Sequence, residues 1–230
     1  VCAILRPAAG ELDITTLEAT FSIRVSEAFL ELLAAPLVAA MTQAAPHVRI
    51  RFALKPDKEP HMLREGLIDL EIGVLGVPAP ELRTRLLIRD RLVGVVREGH
   101  PLLADSAVTT DRFAACDHVA ASRRGDFADA IDGALESRGL KRAIRVVVPG
   151  FPDAMRIAAS TDFVAAVPIS CLGKNKVNEL VTEFGIRSFE LPFETPEILI
   201  AAIWHPRVDA DPAQRWLRNI VARVCRTAYP

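Results

Sequence analysis

The chain has 230 residues, is 50% hydrophobic, and sets 28 basic against 29 acidic side chains for a net charge of -1. That balance excludes a general electrostatic grip on nucleic acid or anionic lipid, because there is no net field to attract phosphates or headgroups. A chain of this size buries roughly 70% of its unfolded surface, enough for one core or two lobes without disulfide or metal staples.

Residues 1–17 carry Pro7 and Gly10 and show no sustained period, which fits a loose lead-in. Residues 21–25 alternate apolar with polar, as a strand does, and run directly into Ser26-Glu27. Ser26 is a helix-start signal, since its hydroxyl can accept from an unpaired amide of the first turn. Phe29, Leu32, Leu33, Leu37 and Met41 then recur at three- and four-residue steps, making one apolar stripe for packing on a sheet. Pro36 inside that pattern predicts a bend or a fresh start, and Pro46 a stop. The longest charge-free apolar run, 32–41, is well short of the roughly 18 residues a membrane span requires. No membrane partner is expected.

A second alternating strand follows over 48–54, then a short helix over 62–67 halted at Gly66, then a third strand over 70–72. Strands separated by helices predict a parallel sheet, because only a crossover returns the chain to start a neighbour in the same direction. Ligands collect at the carboxyl ends of such strands, which singles out Ser26, Pro56 and Val74. Two more β-rich runs, 82–88 and 92–96, lead to a break at Gly99-His100-Pro101.

A second series begins there: a helix over 109–115, a strand over 118–121, a helix over 126–138 and a strand over 145–148. Asp126 is the expected cap of that longer helix, Phe127, Ile131 and Leu135 its inward stripe, and Arg138-Gly139 its stop. Pro149-Gly-Phe-Pro152 leads into a helix from Asp153, and 163–167 returns as a strand. Residues 169–184 read as a helical region, 188–192 as an extended connector and 198–204 as a buried strand. Asp211-Pro212 opens a last helix that packs through Trp216, Leu217, Ile220, Val221 and Val224. The expected fold class is α/β, with two Rossmann-like lobes joined by a double crossover hinge near 92–95 and 189–192. The last strand and helix are expected to return to the first lobe.

Helix starts with unpaired amides favour anions, and three are expected at one cleft: Ser26-Glu27, Gly125-Asp126 and Phe151-Asp153. Glu27 competes for that role with its own carboxylate, so a neutral phenolic or amide ligand becomes attractive if Glu27 faces inward. Arg123 and Arg124 precede one start, where a guanidinium can clamp a carboxylate at two points. A plain cap accounts for Ser26 equally well, and a solvated loop for the arginines slightly better. Phe151 is placed to stack on an aromatic ring, although a Phe after a strand is more often core. Catalytic spacings are missing: there is no Gly-x-Ser-x-Gly, Gly-x-x-x-x-Gly-Lys, Gly-x-Gly-x-x-Gly or His-Glu-x-x-His. Five histidines show no ligand spacing and Cys116-x-His118 alone does not make a zinc site, so neither metal nor cofactor is expected. Cys2, Cys116, Cys171 and Cys225 stand far apart, as free thiols in a reducing cytoplasm do. No basic-then-apolar leader opens the chain, so secretion is not expected, and a start at Val1 fits a fragment.

In order, the segments Phe21-Ser-Ile-Arg-Val-Ser-Glu, Leu63-Arg-Glu-Gly-Leu-Ile-Asp-Leu-Glu-Ile-Gly73 and Arg97-Glu-Gly-His-Pro101 are followed by two more. These are Ala159-Ser-Thr-Asp-Phe-Val-Ala-Ala-Val-Pro168 and Trp204-His205 with Asp211-Pro212 and Trp216-Leu-Arg218. Taken together, over about the whole chain, they resemble the effector-binding domain of LysR-type transcriptional regulators. The resemblance implies a fold like that of type 2 periplasmic binding proteins, with a small-molecule effector between the lobes. Lobe I would take 18–91 plus 193–230, lobe II 92–192, and 1–17 the tail of a linker helix and a lead-in. It also implies a homodimer of this domain, a homotetramer at full length, and DNA contact only through a winged helix-turn-helix outside this chain. The helices over 28–41 and 126–138 are the candidate dimer surfaces.

The segment from Arg142 to Phe151 is similar to that of members answering aromatic acids or flavonoids, with Gly150 where salicylate-responsive members tend to have His. The implied effector is a small aromatic or carboxylate metabolite, with Ser26, Glu27, Pro56, Val74, Ser122, Arg123, Gly150, Phe151 and Pro168 as the candidate site. Two alternatives stay open on sequence alone: a solute-binding protein of the same architecture for a small organic anion, and an enzyme using the same cleft for proton transfer.

Overall fold

In a computed structural model of the chain, residues 12–54, 61–76, 79–104, 107–173, 177, 180–181 and 184–228 are described. The first part of the chain runs β1 (Thr20–Val25), α1 (Glu27–Ala44), β2 (Arg49–Leu54), α2 (His61–Glu65), β3 (Leu70–Val74) and β4 (Arg83–Asp90). It then passes to β5 (Leu92–Arg97), α3 (Thr110–Ala114), β6 (Asp117–Ala121), α4 (Ala130–Glu136), β7 (Ala143–Val148), α5 (Phe151–Ser160) and β8 (Val164–Pro168). The short β9 (Leu180–Val181) and β10 (Ile186–Phe189) precede β11 (Ile198–Trp204) and α6 (Pro212–Ala228). These strands make two sheets, in the orders β2-β1-β3-β11-β4 and β7-β6-β8-β5-β10-β9.

Both sheets are mixed for the same reason. Crossover helices set β1 parallel to β2 and β3, and β6 parallel to β7 and β8. The strands that carry the chain between sheets run against them: β11 is antiparallel to β3 and β4, and β5 to β8 and β10. The chain leaves the first sheet at Asp90-Arg91, within a single step, and returns after Phe189 to enter it again at Ile198. Ion pairs lace the two crossings together. Arg91 binds Glu190 through both guanidinium nitrogens, one of them at 2.7 Å, and Arg89 binds Glu197 at 2.7 Å. On the strands just beyond, Gly94 lies so close under the Phe189 ring that any Cβ would overlap it.

Helix α1 begins as its sequence predicts, the Ser26 hydroxyl accepting from the Phe29 amide at 3.3 Å. Phe29, Leu33, Leu37 and Met41 are its buried face. At about 1.5–3 kcal/mol for each such side chain taken out of water, that stripe accounts for much of the helix's attachment to the sheet. By length and apolarity α1 passes for a membrane-crossing segment, yet this face packs on the sheet, as in a core helix. Pro36 neither bends α1 into two pieces nor restarts it. It lies inside one continuous helix on the exposed side, where the carbonyl it leaves without an amide is within reach of solvent.

Three expectations change in the second half. The helix expected from Asp126 starts four residues later at Ala130, capped by Asp129, whose carboxylate accepts from the Ile131 amide at 2.7 Å while Asp132 accepts from the Asp129 amide at 2.7 Å. Arg142 clasps both acids at 2.8–2.9 Å, which favours Asp129 over Asp126 as the cap. Burial works against the Arg142 charge, but its bonds to Asp132 and the charge of Asp129 prevail, holding its pKa above the usual value. Phe127 is consequently 65% exposed, whereas Ile131 and Leu135 are buried as expected. The span 169–184 is not a helix over its described residues; it holds a 3-10 turn at Ile169–Leu172 and the short β9. Of the extended connector expected over 188–192, residues 188–189 belong instead to β10, which pairs with β5.

Candidate functional site

The carboxyl ends of β1 and β7 bring Glu27 and Gly150 together. Glu27, in the first turn of α1, reaches across to the amino end of α5, where its Oε2 stands 2.6 Å from the position a Cβ on Gly150 would take. Gly150 caps α5 without any side-chain bond, and the Glu27 carboxylate of the other sheet's helix stands beside it. Ala28 packs into the apolar cluster of the second sheet, and Glu31 approaches Arg156 at 3.7 Å, so α1 and α5 touch along their first turns. Lacking a Cβ, Gly150 is what lets the two helices come this close.

The other described candidates lie at strand ends or in the turns that follow them. Ser122 continues the β6–β7 ladder, its amide donating to the Val148 carbonyl at 2.8 Å, and its hydroxyl accepts from the Asp126 amide at 3.0 Å. Gly125-Asp126 is therefore a turn, with Gly125 at φ 75°, and not the helix start expected there. Arg123 is exposed on that turn and makes no bond or ion pair among the described residues, while Arg124 is tied to Asp126 at 3.1 Å. Phe151 is half-buried against the second-sheet cluster, and Pro168 is buried at the end of β8, opposite Leu92. Val74 ends β3 with 53% of its surface exposed, an apolar side chain open to solvent at a strand's carboxyl end. Pro56 lies outside the described residues.

Sequence reasoning missed two polar features. Arg24 on β1 and Glu71 on β3 are register partners and bind each other within the first sheet, with Nε of Arg24 3.0 Å from Glu71 Oε2 and side chains 2% and 6% exposed. The alternation over 21–25 marked Arg24 only as the polar phase of a strand. Asp90, at the crossing between sheets, is buried and accepts through Oδ1 from the amides of Arg91 at 2.7 Å and Ser170 at 3.4 Å. It ties the end of β4 to the turn after β8.

Burial, aided by the nearby Asp90 charge, pushes the Cys171 thiol up to about 12, and burial pushes Cys225 to about 12 as well, so both stay protonated and unreactive. Cys116, Cys171 and Cys225 are free thiols. Among the described residues no three His, Cys, Asp or Glu side chains cluster as a metal site would require.

Two mixed α/β sheets, a double crossing between them and helix amino ends meeting at the strand ends define the class: a regulatory domain with a type 2 periplasmic-binding-protein-like fold. Residues 15–226 match the family model described as LysR substrate binding domain, and the chain belongs to that family as an effector-binding domain of LysR-type transcriptional regulators. The chain is 33% identical over 209 residues to the HTH-type transcriptional activator NagR of a Ralstonia species, covering 87% of this chain and 65% of that protein. It is 31% identical to the HTH-type transcriptional activator NahR of Pseudomonas putida, over 69% of this chain and 51% of that one. The chain thus spans about half to two thirds of the length of these relatives. In three dimensions it is similar to the regulatory domain of MexT from Pseudomonas aeruginosa, a transcriptional activator, at 26% identity and a TM-score of 0.77, covering 91% of this chain and 99% of that one. The effector-binding domain of QuiR, solved in complex with shikimate, shares the fold at 15% identity and a TM-score of 0.72, over 93% of this chain and 100% of that one. These relatives are transcription regulators and not enzymes, and they do not favour the solute-carrier alternative.

Proposed function

We propose that this domain holds a small aromatic or carboxylate-bearing metabolite in the cleft between its sheets and converts occupancy into a change in how the lobes, and the subunits, are set. The lobes are proposed as 18–91 plus 193–230 and 92–192. The observation that carries the proposal is the meeting of the α1 and α5 amino ends across the two sheets, with Glu27 set against Gly150. Ser26, Glu27, Ser122, Arg123, Gly150 and Phe151 are the contacts assigned to the ligand, with Val74, Pro56 and Pro168 as walls. With the Glu27 carboxylate set beside Gly150, the ligand end that meets this point is a phenol, an amide or another hydrogen-bond donor. Its acidic end turns to Arg123, whose guanidinium has no partner of its own among the described residues. The shikimate held by QuiR, a ring with hydroxyls and a carboxylate, is a ligand of this kind.

At full length the protein acts, in this proposal, as a cytoplasmic homodimer or homotetramer that contacts DNA through a winged helix-turn-helix outside this chain. The outer face of α1, where Val38 is 36% exposed, and α4 in the second lobe are the surfaces assigned to the partner copy. Ligand then acts by binding one lobe setting better than another.

Calorimetric titration with hydroxybenzoates, phenols and cyclic hydroxy acids tests this. Arg123→Ala is expected to weaken the best ligand by about ten-fold or more, the share of one charge-assisted contact. Unchanged affinity in Arg123→Ala and Ser26→Ala removes these residues from the site, and no binding of any ring-bearing acid or phenol overturns the ligand class. Ser26→Ala is separately expected to cost about 1 kcal/mol in urea unfolding through loss of the α1 cap alone. A change in affinity beyond that loss of stability marks a ligand contact.

A further inference from the structure

Away from the cleft, an open concavity of about 590 Å³ lies on the first sheet's far side, where the end of β11, the loop after it and α6 meet the edge strand β4. Its lining carries three guanidiniums, those of Arg85, Arg215 and Arg218, against the single carboxylate of Asp209. Arg85 and Arg215 pair with no acid among the described residues, and Arg218 has only the loose pair with Asp209 at 3.8 Å. Arg218 donates to the Val208 carbonyl at 3.3 Å and the Asp209 carbonyl at 2.9 Å, and its guanidinium carbon sits 4.7 Å from the Trp204 ring centre. Arg85 donates to the neutral amide oxygen of Asn219 at 3.0 Å, and Arg215 to the Ala210 carbonyl at 2.9 Å.

The one lining carboxylate is already engaged. Asp209 Oδ1 accepts from the Trp204 indole at 2.9 Å and stands 3.8 Å from Arg218. Asp211, close enough to be felt by Arg218, accepts the Gln214 amide at the start of α6. The Arg218 side chain is only 7% exposed, and burial holds its pKa below the usual guanidinium value despite Asp209. A charge taken out of water with backbone carbonyls, one loosely held acid shared with the Trp204 indole and an aromatic face around it is stabilised further by an anion that enters.

We propose that this concavity is a second ligand site, separate from the interlobe cleft, for a small multiply charged oxyanion of the phosphoryl or polycarboxylate kind. Its volume suits a small metabolite. The three guanidiniums of the lining supply paired donors matched to such oxygens, and Pro206 and Ala210 add apolar surface beside them. An exposed site of this kind is expected to lose affinity with salt, so ionic strength has to be matched throughout.

The test is titration of the native domain with pyrophosphate and, separately, with citrate, at fixed ionic strength, by calorimetry and by Trp204 fluorescence. Saturable binding of one or both at millimolar concentration or below is expected, and the tighter of the two identifies the phosphoryl or the polycarboxylate kind. Arg85→Gln and Arg215→Gln, both at exposed positions and therefore not expected to disturb folding, are each expected to weaken it about ten-fold. Arg145→Gln, an exposed arginine on β7 paired with Asp117, is expected to leave it unchanged. Absence of saturable binding by either anion overturns the proposal, as does equal affinity in native, Arg85→Gln and Arg215→Gln domains.

Discussion

Replacing Glu71 with Ala is expected to lower the unfolding free energy by about 3–5 kcal/mol, because it removes the carboxylate bound directly to the buried Arg24 guanidinium. Arg24→Ala is expected to do comparable damage from the other side. The pair is 2% and 6% exposed, so solvent does not screen the loss. Replacing both residues with apolar side chains of similar length, Arg24→Met with Glu71→Leu, removes both desolvation costs at once and is expected to recover most of the stability. Urea unfolding of the single and double variants measures this. A single variant as stable as the native chain would falsify the assignment of the pair as a structural tie between β1 and β3. The consequence reaches function, because those two strands end at Ser26 and Val74. A domain that survives Glu71→Ala is expected to hold those ends less firmly and to bind effector more weakly.

Acidification below neutral pH is expected to destabilise the domain through His118. Its ring is buried on β6 beside Phe113, with Nε2 donating to the Phe113 carbonyl at 2.9 Å and Nδ1 meeting no partner. Burial first, and then the positive charge of Arg142, press its pKa from 6.5 down to about 4. Because the folded value is below the unfolded one, the unfolded chain takes up the proton first. The stability from a neutral His118 is fully present above about pH 6.5, falls as pH drops through that value, and is gone by about pH 4. The window is worth about 3 kcal/mol at 1.36 kcal/mol per pH unit. Denaturant midpoints measured across pH 4–7 in native and His118→Phe domains check this. The native midpoint is expected to fall more steeply, and parallel curves would show that His118 does not titrate on unfolding.

Much of this fold is legible along the chain. The 198–204 run becomes β11 residue for residue, and Asp211-Pro212 opens α6 with Leu217, Ile220, Val221 and Val224 buried. Those elements declare themselves because a helix on a sheet needs a stripe and a buried strand needs an apolar run, both properties of nearest neighbours in sequence. The start of α4 is a case where local signals compete. Asp126 and Asp129 are both adequate caps, and the choice is made by Arg142, thirteen residues beyond Asp129, which binds Asp129 and Asp132 together. Pro36 is a case where packing overrides a local signal, since the stripe on either side of it remains continuous.

The candidate site divides in the same way. Ser26 was visible as a cap and Gly150 as the residue after a strand, each from its immediate neighbours. The approach of Glu27 to Gly150 was not, because it depends on α1 and α5, elements of different sheets, being brought end to end by the double crossing at 90–91 and 190–197. The burial of Arg24 and Asp90 escaped for a related reason. Period-two alternation tells which side chains share a face, but a sheet covered on both faces buries both phases of the pattern.

By itself, then, the order of residues determined which segments become strands and helices, that they alternate, and that the chain carries none of the spacings on which common catalytic motifs rest. Only the tertiary structure decided which charges are buried against one another, which helix ends meet across the two sheets, and that an arginine of β4 and two of α6 border one concavity. The physical reason is range. Backbone geometry and side-chain periodicity act over a few residues, whereas the pairing of a charge and the shape of a cavity depend on which surfaces the folded chain brings into contact.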